Sequence, residues 1–546
     1  MDMSRRQFLT LSAAMAAMGL SGSALAGCTS GGTSASASAS ASASASASAA
    51  ASASASAAAA KFADEINIAI TAQPPTLDTV LTVSSVTQDT ICHVIEPLFT
   101  MDENYVPQPM LAEGYELSDD GLTYTIKLRK GVKFHNGKEM TADDVVASMN
   151  RWLAEGSRAK QLLEGSTFEK VDDYTVNFKI PSPASDIMIL LATHSQYPGI
   201  SPKEEVEAAD PEKGLKNFIG TGPYKFVEWK QDEYIHLTKN DDYQSRTEKP
   251  SGFAGAKTPV TKDLYFRIVK EADTRVKGVK TGEYQVVDGV PTEQFKELSK
   301  DSSVKIYSRR SGNLTDCLNT QDGPLADVRI RQAYLKAIDC DKVMMAAYGD
   351  KELYDLGCGF MDTAMTQWAT DAGKEYWNQA DPEGAKKLLD EAGYDGTLIK
   401  LMTTPEYQEM YEATVNVCDQ LKAAGFNAEV QSYEFSTFMS NKTDYTKWDS
   451  YIGAIGFSMT PPQLNVMNPS FAGNNDEEIQ ANIKAIRAAK NDQEAHDIWV
   501  KTQQRMYEQG IAYVFGQFTD MAATSAKLDG YRMFRSSIVW DAKLPE

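Results

Sequence analysis

The chain has 546 residues, 42% of them apolar and 24% charged, and a formal net charge of −21; this length exceeds what one hydrophobic core spans and predicts at least two lobes. So acidic a surface repels phosphate backbones and anionic lipid faces, which argues against nucleic-acid binding and favours a soluble body. Six cysteines, at 28, 92, 317, 340, 358 and 418, include no C-x-x-C pair, so neither a zinc ribbon nor a thiol redox motif is indicated.

Residues 1–27 carry Asp2 against Arg5 and Arg6, a net charge of +1, so a chain lacking them would stand at −22. Ser4-Arg5-Arg6-Gln7-Phe8-Leu9 reads as a twin-arginine export signal. The Ala-, Met- and Leu-rich stretch behind it is broken by Gly19 and Gly22 and is too interrupted for a membrane span. It ends in Leu25-Ala26-Gly27-Cys28, which resembles a bacterial lipobox, making Cys28 the expected lipidation site. Each buried acyl CH₂ contributes roughly 0.8 kcal/mol, so anchoring without spanning is expected. From 29 to 60 the sequence is an almost pure Ser–Ala repeat, with no large apolar group to bury. As random coil such a tether spans on the order of 30 Å. Five cysteines lie beyond Cys28, an odd number, so at least one is expected to be free; Cys418 sits on an apolar helical stripe and reads as core.

The globular body opens with alternating Ile66, Ile68 and Ile70, a strand, followed by a turn through Pro74 and Pro75. Asp120-Gly121 is a hairpin signal, and Leu122, Tyr124, Ile126 and Leu128 alternate with polar residues. Thr141 is placed to cap a helix with Asp144 at its third position, its buried stripe being Val145, Met149 and Trp152. Asp327 starts another, with Ile330, Ala333, Tyr334, Ala337 and Ile338 inward; Arg329 and Arg331 beside that cap read as structural ion-pair formers. Ala385, Leu388, Leu389 and Ala392 form a stripe closed by Gly393, and Met410, Thr414, Val417 and Leu421 one closed by Gly425 before a strand at 428–430. Helices alternating with short strands predict α/β lobes.

No H-E-x-x-H, G-x-S-x-G, Walker A or G-x-G-x-x-G motif occurs in the body, and the histidines at 93, 135, 194, 236 and 496 are isolated. Asp119-Asp120 is explained by the hairpin turn and Asp143-Asp144 by the helix cap; His236, alternating along a strand, is expected to face solvent. These residues give no catalytic site, no metal site and no cofactor.

The stretch from Leu111 to Gly137, with Gly220 to Phe226, Glu271 to Val276, Thr281 to Glu283, Leu318 to Thr320, Pro324 to Ala333, Ala337 to Asp339 and Asp381 to Tyr394, resembles the bacterial extracellular solute-binding proteins of family 5, the dipeptide- and oligopeptide-binding proteins of ABC importers. The motifs follow the family's order from about residue 64 onward. The resemblance implies an α/β, two-lobed periplasmic-binding-protein-like clamp of type II, with the extra domain of the peptide-binding class. After the signal (1–27) and the lipidated tether (28–61), lobe I would be assembled from 62–98, 219–305 and 517–546, with lobe II at 99–218 and lobe III at 306–516. Crossings near 305 and 517 would form the hinge. His135, within the hairpin signature, would be structural.

The same resemblance implies an extracytoplasmic, lipid-anchored monomer on the outer face of the cytoplasmic membrane, binding a peptide or small solute and passing it to ABC permease subunits. In peptide-binding relatives an aspartate in the loop after the penultimate strand pairs with the ligand's amino group; here that loop reads Ile455-Gly456-Phe457-Ser458-Met459-Thr460-Pro461-Pro462, without one. Asp78 or Asp89 could substitute, or the ligand could be a blocked peptide, a glycoside or a metal chelate. Phe457, Ser458, Met459 and Thr460 are the expected contacts from lobe III, with Asn319 and Gln321; Ser84, Ser85 and Gln88 are expected from lobe I. A sensor or chaperone-like lipoprotein using the same clamp is the alternative.

Overall fold

The computed structural model describes residues 61–469 and 473–545; the export signal, Cys28 and the Ser–Ala tether lie outside them. The alternation at 66, 68 and 70 produces the strand Glu65–Ile70 with all three isoleucines buried. It lies parallel to Asp263–Ile268 on one side and Val286–Asp288 on the other. Tyr234–Lys239 and Tyr224–Lys230 extend the first side antiparallel.

On the second side Val286–Asp288 pairs antiparallel with the long strand Ala512–Ser525. That strand runs against Val304–Leu318, from Val304 opposite Ser525 to Cys317 opposite Ala512. At 15 and 14 residues the two are each about 45–50 Å long, far beyond the usual strand. Their far ends feed a second group, in which Val304–Leu318 pairs with Ser450–Gly456, and Ile399–Thr403 and Ala428–Ser432 follow in parallel. One eleven-stranded ladder therefore serves two lobes. The crossings are paired strands, and register shifts between Arg310 and Gly312 and between Leu314 and Thr315 interrupt the ladder midway; such bulges bend a strand and increase its twist.

The lobe containing residues 112–179 has its own antiparallel sheet, ordered Ala112–Leu117, Thr123–Leu128, Thr175–Lys179, Thr167–Asp172. Tyr124, Ile126 and Leu128 face inward beneath the helix Ala142–Glu155, whose Val145, Met149 and Trp152 are buried. The Asp144 carboxylate accepts from the Thr141 N–H at 3.0 Å, closing the expected capping box.

The Gly220-Thr221-Gly222 motif has a packing reason. A Cβ on Gly220 would collide with the Val94 carbonyl and one on Gly222 with that of His93, so only glycine lets this segment press against 93–95. The His135 N–H donates to the Gly220 carbonyl at 2.9 Å and its Nε2 lies 3.0 Å from the Gly222 carbonyl, docking the hairpin of one lobe onto the other. Beside it, Glu96 takes the Lys257 ammonium at 2.7 Å and hydroxyls from Tyr243 at 2.9 Å and Thr221 at 3.0 Å.

In the C-terminal lobe Asp327 accepts from the Arg329 N–H at 2.8 Å and starts the helix Val328–Ala337, with Ile330, Ala333, Tyr334 and Ala337 buried. The helix Pro382–Ala392 ends at a left-handed Gly393. Gln408–Ala423 buries Met410, Thr414, Val417, Cys418 and Leu421. All five described cysteines are buried free thiols.

Two sequence expectations are corrected. Arg331 forms no ion pair among the described residues: it is 5% exposed and donates to the carbonyls of Leu325, Ala326 and Gln509, a cation serving as a carbonyl cap. His236 does not stand free in solvent, because Asp263 on the neighbouring strand accepts at 2.9 Å and the ring stacks on Tyr265 at 4.3 Å. Period-two alternation identifies the face of a sheet but not what its neighbours place there.

Candidate functional site

Between the two lobes joined by the long strands lies a cavity of about 970 Å³, at the upper end for a small-molecule site. One wall comes from the end of strand Glu65–Ile70, the helix Ser85–Ile91, the segment 288–293 and the segment 533–537. The other comes from the end of helix Cys340–Tyr348, the start of helix Gln408–Ala423, and Ala454. The crossing strands supply Arg309 and residues 518–521 at its base.

The cavity is rich in carboxylates. Asp89, Asp288 and Glu293 stand on the first wall, and Glu409 and Asp520 on the second wall and base. Asp520 is engaged by Arg309 at 3.2 Å and by the Ser311 hydroxyl. Asp89 meets His194 Nε2 at 3.1 Å; burial holds that imidazole below its usual range, and its ring stacks on Phe253 at 4.2 Å. Burial pushes the Asp288 carboxyl up to about 6, against the hydroxyl of Ser537 that donates to it, with neighbouring Asp89 adding to the rise. Burial also raises Glu409, which sits in the first turn of its helix.

Two neutral lining residues carry buried hydroxyls. The Tyr348 ring stacks on Phe518 at 5.7 Å, and its hydroxyl has no hydrogen-bond partner among the described residues although the residue is 7% exposed. Ser536, 3% exposed, likewise presents an unpartnered hydroxyl. A buried hydroxyl without a partner is costly, and both of these oxygens are sealed from solvent.

The structure distributes the sequence-predicted residues unevenly. Ser85 lines the cavity. Ser84 precedes that helix, and Gln88, 1% exposed, spends its amide on the Thr82 carbonyl at 2.9 Å. Asn319 is sealed by bonds to the Tyr445 and Trp448 carbonyls, and Gln321, which is exposed, is tied to Gly473 and Asn475. Phe457, Met459 and Thr460 are buried, and Ser458 donates to the Gln463 carbonyl; Met459 carries the Arg535 guanidinium against its sulfur at 3.5 Å. Of the two proposed substitute acids, Asp78 is 1% exposed and held by Arg151 at 2.8 Å, whereas Asp89 faces the cavity.

Sequence reasoning missed Asp288, Tyr348, Glu409, Asp520 and Ser536. Glu409 reads locally as a first-turn helix acid and Tyr348 as a residue before a terminal glycine, so neither carries a local signal. Only the facing of two lobes, with the crossing strands at the base, collects them.

No helix among the described residues is long and apolar enough to cross a membrane. The family model for bacterial extracellular solute-binding proteins, family 5 middle, matches residues 106–478. A probable peptide ABC transporter periplasmic-binding protein of Sinorhizobium fredii is 30% identical over 386 residues, 67% of this chain and 70% of the relative. The dipeptide-binding protein of Escherichia coli is 27% identical over 468 residues, 78% and 83% of the two chains. Among solved structures, the ABC transporter substrate-binding protein CtaP of Listeria monocytogenes superposes with a TM-score of 0.77 at 24% identity, covering 89% of this chain and all of that one. The Bacillus subtilis oligopeptide-binding protein AppA, solved with a nonapeptide, gives 0.69 at 22% identity, covering 89% and 100%. With its two α/β lobes, shared crossing strands and interlobe cleft, the chain belongs to the bacterial extracellular solute-binding proteins of family 5.

Proposed function

We propose that this ABC-importer substrate-binding protein takes a peptide or a related small solute into the interlobe cleft, binds it without turnover and delivers it to a membrane permease. The observation that carries the reading is the cavity itself, walled by both lobes and lined by carboxylates and other polar groups. A ligand there touches both lobes at once, so its binding free energy favours the closed arrangement that a permease would recognise. The names of the S. fredii and E. coli relatives support a peptide as ligand. Of the sequence-predicted contacts Ser85 is retained, and Asp89 is the favoured counterpart for an amino group. The lobe divisions near 305 and 517 belong to the same proposal, with the interrupted pairing at 310–315 as the bending point. So do export by the twin-arginine signal and lipid anchoring through Cys28.

The test is a native mass spectrum of the purified protein before and after unfolding and refolding to strip passengers. A lost mass matching a peptide ladder, or a rise in melting temperature with a peptide pool, is the expected result. No lost mass and no shift with any peptide pool would overturn the reading. Anchoring is read separately, by incorporation of labelled fatty acid that disappears in Cys28→Ala.

A further inference from the structure

The cavity takes its lining from two lobes, and none of the lining residues lies within 99–218. Lobe II, as divided above, is fixed to lobe I by buried contacts. Arg151 meets Asp78 at 2.8 Å, the Tyr197 hydroxyl donates to the Ile95 carbonyl at 2.9 Å, and His135 is bonded to Gly220 and Gly222. Lobe II therefore travels with the lobe I wall of the cleft, and any contact it makes with lobe III spans the opening.

Two such contacts are formed. At the first, the Ile486 and Arg487 carbonyls, in the last turn of helix Glu477–Ala488, accept from the Ser185 hydroxyl and N–H, each at 2.9 Å. Last-turn carbonyls have no acceptor role left within their own helix, so lobe II caps a helix of lobe III. Arg487 reaches back, its Nε 3.2 Å from Asp186 and its Nη2 donating to the Leu162 carbonyl at 2.8 Å. Asp186 is 2% exposed, and Arg487 is its ion-pair partner among the described residues. At the second, Tyr105 in the turn 102–106 has a φ of 61°, a left-handed backbone that an aromatic residue rarely adopts. Its hydroxyl donates to Asp362 at 3.2 Å, and Asp362 also takes Arg310 at 3.2 Å, beside the interrupted strand pairing.

None of Ser185, Asp186, Arg487, Tyr105 and Asp362 lines the cavity. Resting on the lobe division and clamp reading proposed above, we infer that lobe II is a ligand-independent latch, holding lobe III closed through Ser185 and Asp186 on the 486–487 helix end and through Tyr105 on Asp362. Swinging lobe III away would take the cation from Asp186 and the cap from the helix. The latch free energy adds to that of the ligand, which meets a clamp already biased towards its binding-competent state; the apparent Kd falls as the closed fraction rises.

The test compares small-angle X-ray scattering and amide hydrogen exchange of the full chain with those of Arg487→Ala and Tyr105→Phe, all freed of passengers by unfolding and refolding and kept without ligand. Arg487→Ala should show a larger radius of gyration than the parent and about 10-fold faster exchange of the Ser185 N–H, the scale of one charge-assisted hydrogen bond. Tyr105→Phe, which leaves Asp186 its cation, should enlarge the radius in the same direction by less. If urea titration shows Arg487→Ala to be unfolded, Tyr105→Phe carries the test alone. A radius of gyration unchanged in the folded variants, with or without faster exchange at Ser185, would make the contacts passive and overturn the latch. A peptide pool added afterwards should bind the variants more weakly than the parent; if it binds none of the three, the peptide reading fails, while the ligand-free scattering still decides the latch.

Discussion

Glu96 in the first lobe and Asp316 in the C-terminal lobe are both sealed from solvent, at 1% and 0% exposure, yet they hold their protons in opposite ways. Burial alone would raise Glu96, but Lys257, at 2.7 Å and itself buried, together with Tyr243 and Thr221, holds it below the usual carboxylate range. Asp316 has two hydroxyl partners at 2.6 Å, Tyr334 and Ser450, and no cation partner among the described residues; burial pushes it up to about 7. Hydroxyls satisfy the geometry of a buried carboxyl, but only a neighbouring cation offsets the desolvation of its charge. In the cleft burial likewise raises Asp288 and Glu409, and the more distant Arg309 and Arg275 only partly offset it at Asp288.

Removing the cation is the most direct way to break this contrast. Lys257→Met strands Glu96 as a lone buried acid and should cost about 3–5 kcal/mol in urea unfolding, while Glu96→Gln with Lys257→Met should recover most of that loss. A single variant within about 1 kcal/mol of the parent would refute the account. The second prediction concerns pH. Because the folded-state pKa of Asp316 lies above its unfolded value, the folded chain holds this proton more tightly. The stabilisation is complete below about pH 4 and is lost as pH rises to about 7, a change of roughly 4 kcal/mol at most. Asp316→Asn, which keeps a neutral group there, should remove this component. The stability difference between variant and parent should therefore move by that amount between pH 4 and 7; a difference independent of pH would show that Asp316 is ionised throughout. Glu96 contributes with the opposite sign, its stabilisation being present above the ordinary glutamate pKa and lost as pH falls through the depressed folded value.

Two smaller effects calibrate the comparison. Thr141→Ala removes half of a capping box and should cost about 1 kcal/mol, measured by the same urea titrations. Arg329→Ala breaks an ion pair of 2.6 Å with Asp327, but the arginine side chain is 61% exposed. Its stability should change by less than about 0.5 kcal/mol, showing that a short distance without burial carries little.

Much of the fold is legible in the sequence because its signals are local. The isoleucines of Glu65–Ile70, the Thr141 box, the Asp327 cap and the Gly393 stop each specify an element through neighbours a few residues away, and each forms. The ordered run of family motifs likewise fixed the clamp architecture and the family. Local patterns do not report what a distant segment brings. His236 gained Asp263 from the next strand, and Arg331 gained the Gln509 carbonyl 178 residues away. Asp78 and Asp89, equal candidates in the sequence, were separated when Arg151 claimed the first and the cavity received the second. The site was least legible of all, because Asp288, Tyr348, Glu409 and Ser536 lie on four segments from 288 to 536 and become neighbours only when two lobes face each other. The sequence by itself determined which elements form, since capping and periodicity act within a turn or a strand. Which acids stay charged, which hydroxyls are left unpartnered and what the cleft can hold were decided by tertiary structure, because desolvation and ion pairing depend on groups that only the fold brings together.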